Sequence, residues 1–134
     1  MLKDIPRPSV ENIIVAIVRE PSEDGELIWN AYLVNLYETG INNVLISSHG
    51  YGTFEGRDVK TSVLRHHIGN VDAKEYAKIE PIMENLFGLS NEFLVSFYID
   101  KHLYDKKYVF LPESIKDENM TLIPILNKRG VMIR

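Results

Sequence analysis

Apolar residues along this chain recur in short runs and at every second position, the spacing of extended backbone rather than of amphipathic helices. Residues 12–19 (NIIVAIVR) are β-branched and almost continuously apolar, which predicts a strand covered on both faces. Residues 21–25 (PSEDG) are turn chemistry, and residues 27–37 (LIWNAYLVNLY) predict a longer strand rich in aromatic and branched side chains. Thr39-Gly40 and Asn42-Asn43 mark a turn before residues 44–48 extend again. Later, Phe93, Val95, Phe97 and Ile99 alternate with Leu94, Ser96 and Tyr98, a period-two strand that residues 104–111 follow and Pro112 ends.

Glu55-Gly56 lies between two β-capable runs and predicts a two-residue hairpin loop. If Phe54 pairs with Arg57, then Val44, Ile46 and Phe54 share a core-facing side with Val59, Thr61 and Val63. Leu45, Ser47, His49 and Tyr51 then share a polar side with Lys60, Ser62, Leu64 and His66. A slip of one residue inverts the assignment.

Between residues 64 and 90 the pattern weakens. Residues 72–76 (DAKEY) read as a helical turn, 79–82 as a short strand, and 80–86 as weakly helical after Pro81. Residues 112–134 read as a C-terminal tail or edge segment, because Pro124 interrupts the apolar run 122–126. The expected fold is one domain over residues 1–134. It is all-β, an antiparallel, immunoglobulin-like β-sandwich of about seven or eight strands with at most one or two short helices.

Composition narrows the function classes. With 45% hydrophobic and 25% charged residues, a 134-residue chain has the mix of an ordinary globular domain. The absence of cysteine excludes disulfides, a thiolate nucleophile and cysteine-ligated metals. A net charge of −4 argues against a bulk nucleic-acid binder. Residues 1–8 carry both charge signs and two prolines, and the first apolar run, 13–18, is six residues long. Neither an export signal nor a membrane span is read there, so the expected location is cytoplasmic, without membrane contact.

Motifs that carry chemistry fail on spacing. Gly50, Gly52 and Gly56 miss the dinucleotide fingerprint by one residue and precede a strand rather than a helix. His66 and His67 point to opposite faces of a strand, and His49 and His66 stand about 13 Å apart in the assumed register, too far to share a zinc ion. Ser47 and Ser48 beside His49 lack a nucleophile elbow. Glu80 and Glu84 could face each other on a helix, where acids near its start simply favour the dipole. No catalytic residue, metal or cofactor is therefore expected.

What remains is a candidate binding surface: His49, Tyr51, Arg57, Lys60, Arg65 and His66, with an aromatic ring able to stack amid basic groups. Such a mixed face suits a protein partner or self-association first, and RNA second.

The segments Trp29-Asn30-Ala31-Tyr32-Leu33-Val34-Asn35, Ser48-His49-Gly50-Tyr51-Gly52, Lys60-Thr61-Ser62-Val63-Leu64-Arg65-His66, Asn91-Glu92-Phe93 and Asp105-Lys106-Lys107-Tyr108-Val109-Phe110 span most of the chain. Together they resemble a family of small bacterial proteins often labelled phenylalanyl-tRNA synthetase beta subunit. The resemblance implies an accessory associated with that synthetase or with tRNA. The arginine-bearing motifs that hold ATP in that synthetase's class have no counterpart here, so it implies no standalone aminoacyl-tRNA ligase. The expected function is a non-enzymatic binding or assembly module for protein interaction; the synthetase or tRNA accessory is second. A small enzyme is third, and would need a pocket joining His49 or His66 to a carboxylate.

Overall fold

A computed structural model describes residues 10–134. Residues 1–9 lie outside the described residues, and with them the segment 1–8 read above for export signals. The described residues form ten strands: β1 (Ile13–Pro21), β2 (Leu27–Asn35), β3 (Ile41–Phe54), β4 (Arg57–Lys60), β5 (Leu64–Val71), β6 (Tyr76–Ile82), β7 (Ser90–Ile99), β8 (His102–Phe110), β9 (Thr121–Ile123) and β10 (Lys128–Ile133). The helical pieces among the described residues are two single 3₁₀ turns, Glu84–Leu86 and Asp117–Asn119. None is long and apolar enough to cross a membrane.

The strands build an antiparallel two-sheet sandwich. Sheet I has the order β6-β2-β1-β10-β9, and sheet II the order β4-β3-β7-β8 with β5 also paired to β3. The strand count exceeds the expected seven or eight because the weakly patterned stretch holds two full strands, β5 and β6. The helical turn expected over 72–76 is instead a reverse turn between them, with Lys74 left-handed at φ 58°. Five polar-rich residues have no apolar face to bury, so a costly helix nucleus gains nothing there.

In the C-terminal segment, β9 is the edge, stopping before Pro124, but β10 lies inside sheet I between β1 and β9. β1 is covered on both faces, and every residue from Ile13 to Val18 is fully buried. Ile13, Val15 and Ile17 enter the core between the sheets with Leu33, Phe93 and Phe97. Ile14, Ala16 and Val18 join a second cluster on the other face with Val34, Ile123 and Leu126. Tyr108 of β8 ties the sheets together, its buried hydroxyl donating to the Ile13 carbonyl at 2.6 Å. Burial holds that phenol far above its ordinary pKa.

One carboxylate is buried with its partners. Glu20 accepts from Asn30 Nδ2 at 2.7 Å, from the Tyr32 hydroxyl at 2.5 Å and from Lys128 Nζ. Burial alone would raise its pKa; the three hydrogen bonds and the Lys128 charge outweigh that and hold it below the ordinary range.

Candidate functional site

The Glu55-Gly56 hairpin forms as expected, with both loop residues left-handed (φ 51° and 76°) as a type I′ turn requires. The pairing Phe54↔Arg57 continues to Tyr51↔Lys60, and the Thr61 N–H donates to the Gly50 carbonyl at 2.8 Å in the same register. From Ser48↔Leu64 to Leu45↔His67, each β3 residue meets a partner one position later. Ser62 and Val63 therefore both stand opposite His49, a β-bulge, and β5 enters with its faces inverted from the expected register.

That inversion corrects the assignment of His66. His66 pairs with Ile46 and turns into the sandwich, while His49 stays on the outer face of β3. Phe54 and Val63, expected on the core side, are exposed, since among the described residues β4 packs chiefly on β3.

A second bulge sits in sheet I. Glu80 pairs with Ala31 but Lys78 pairs with Tyr32, so Ile79 is the extra residue. Ile79 packs in the core, and Glu80 also turns inward. There Glu80 Oε1 accepts from Ser48 Oγ at 2.7 Å and lies 2.6 Å from His66 Nε2. The Glu80 side chain is 11% exposed and that of His66 25%. Ser48 and Glu80 of this cluster border a cavity of about 240 Å³, walled by Thr61, Leu64, Ile82, Leu86 and Phe93.

The order of groups decides the chemistry. In a nucleophilic triad, the imidazole stands between hydroxyl and acid so that it can take the hydroxyl proton. Here the carboxylate stands between Ser48 and His66, and both bond the same oxygen. The arrangement fixes a carboxylate in an apolar cleft; it does not activate Ser48. Glu84 does not face Glu80 on a helix, since Glu80 is in β6 and Glu84 in a 3₁₀ turn, where it accepts from Trp29 Nε1 at 3.0 Å. Among the described residues no group of three or more acidic or histidine side chains is arranged to hold a metal.

On the outer face of sheet II, the short side chains of Ser47 and Ser96 leave a hollow of about 370 Å³ walled by Leu45, Leu94, Arg65 and His67. Leu45 is paired with Ser96, and Ser47 with Leu94, so the two leucines are diagonal neighbours across β3 and β7. Tyr98, paired with Leu103, extends the stripe. All four apolar side chains are exposed: Leu45 51%, Leu94 42%, Tyr98 37% and Leu103 58%.

The six residues singled out from the sequence are thus distributed. His49 and Tyr51 stand together on the outer face with ring centroids 5.3 Å apart, and the Tyr51 hydroxyl donates to Glu92. Lys60 lies opposite Tyr51, Arg57 is at the hairpin tip opposite Phe54, and Arg65 borders the hollow opposite Ser47. The β3 residues facing the two arginines lie roughly 23 Å apart at a strand's rise, so the basic groups line an edge and do not converge. His66 turns its ring inward to Glu80, although the residue also borders the outer hollow. Comparison with protein-family models, with curated proteins and with solved structures finds no match.

Proposed function

We propose that this chain is a non-enzymatic interaction module that docks a partner protein on the outer face of sheet II. The observation that carries the reading is the uncovered stripe Leu94, Leu45, Tyr98 and Leu103, bordered by Arg65, Lys107 and Asp105 on neighbouring strands. Sheet I buries a second apolar cluster on its outer face, whereas sheet II leaves its leucines in water. An apolar centre with a charged border is the composition of a docking face, and the hollow over Ser47 and Ser96 can receive an anchoring side chain.

The test compares the wild-type chain with a Leu45→Glu/Leu94→Glu variant. Both replacements sit at exposed positions, so the variant should melt like wild type. Affinity capture from source cells, with and without nuclease, should recover a protein that survives nuclease and is lost from the variant. Sedimentation of the purified chain identifies the case in which that protein is a second copy. Recovery of the same proteins by both chains would remove the stripe from the reading. Recovery of tRNA alone, abolished by nuclease, would replace it with the tRNA-accessory reading.

A further inference from the structure

We infer that the cleft between the sheets is a recognition site for a cationic group, an ammonium or guanidinium carried on an apolar stem. This goes beyond the docking reading and does not depend on it, since the cleft lies on the opposite side of the β3–β5 ribbon from the stripe.

Three observations lead there. The first is the state of Glu80. Its Oε1 is held from two sides by Ser48 and His66, while no described residue donates to Oε2. That oxygen keeps contact with solvent, so a donor entering the cleft can reach it. The second is the sign of the lining. Glu80 is the carboxylate turned into the cavity, since that of Glu92 accepts from Tyr51 on the outer face, and no lysine or arginine lines it. An anion entering there meets Glu80 with no lysine or arginine beside it; a cation finds that carboxylate already positioned. The third is size and polarity. At about 240 Å³ the cavity falls below the roughly 300 Å³ where pockets for drug-sized ligands begin. Leu64, Ile82, Leu86 and Phe93 supply apolar walls for a short stem. The two bulges matter because together they turn His66 and Glu80 toward each other inside the sandwich.

The shared chemistry has two sources, a lysine or arginine of a partner and a free small amine. Four probes separate the cases in nitrogen-15 NMR titrations of the purified chain. n-Butylammonium and n-butylguanidinium carry the expected head, butyrate has a similar stem with the opposite charge, and Nα-acetyl-lysine-N-methylamide stands for a lysine within a chain. The cationic probes should give saturable shifts of the Ser48, Leu64, Glu80 and Ile82 amides, with dissociation constants on the order of 1 mM, the scale a handful of heavy atoms supplies. Butyrate should bind at least about ten-fold more weakly, and Glu80→Gln should weaken butylammonium by a similar factor. Tighter binding of the blocked lysine assigns the cleft to a partner's side chain, and tighter binding of butylammonium to a small amine; both uphold the cation site. Equal binding of butyrate and butylammonium, or shifts absent from the four amides, would overturn it. The butyrate comparison is made on the wild-type chain and holds even if Glu80→Gln fails to fold.

Discussion

Trp29 closes one end of the core by three different contacts. Phe87 packs edge-on against it at 5.2 Å, the Arg19 guanidinium lies 5.2 Å from its ring centre, and its indole N–H donates to Glu84. At 5% exposure, truncation leaves both a cavity and an unpaired carboxylate. Trp29→Ala should therefore cost about 3–5 kcal/mol, read from urea unfolding. A loss below about 1 kcal/mol would show that the ring contributes little to packing. Trp29 stands out in the sequence, being the single tryptophan in a strand-like run. Ser48 and His66 do not stand out in this way. Both residues were in view as a possible nucleophile and a possible binding histidine, but nothing local says that they meet over Glu80, which lies 32 and 14 positions further along the chain.

Strands β1 and β10 approach each other closely at Gly130, paired with Val18. A Cβ there would lie 2.5 Å from the Ile17 carbonyl oxygen and 3.0 Å from Val18 Cα, both backbone atoms that cannot move without opening the sheet. Gly130→Ala should destabilise by about 1–3 kcal/mol, the range for overpacking. A lower urea midpoint together with faster hydrogen exchange in β1 and β10 would show it; an unchanged midpoint would contradict the close approach. Strand identity is the part of element structure that the sequence carries well: β1, β2, β7 and β8 all announce themselves by period or by branched content. β5 does not, and β6 does so only over residues 79–82, because each mixes polar and apolar residues on both faces. The bulges at Ser62–Val63 and Ile79 leave no periodic trace. Each is an extra residue accommodated by the partner strand, so its position depends on how two distant segments align.

For the whole molecule, the buried Glu20 cluster links stability to pH. Its folded pKa lies below the ordinary value of 4.5. The unfolded chain therefore takes up a proton first on acidification, and the stabilisation is fully present above about pH 4.5 and lost as pH falls through the folded value. Thermal melts of wild type and Glu20→Gln should differ most near neutral pH and converge below pH 4.5. A constant difference across that range would mean that the glutamate acts by packing and not by charge. The sequence by itself determined the all-β class, the two-sided burial of β1 and the hairpin at Glu55-Gly56. Each of these follows from local causes: side-chain period, branched content and a loop whose residues accept left-handed backbone. Tertiary structure alone decided that β10 is interior, that the basic side chains spread along an edge, and that Ser48, His66 and Glu80 converge. The physical reason is that strand order and register are set by pairing between distant segments, and one inserted residue reverses every face beyond it.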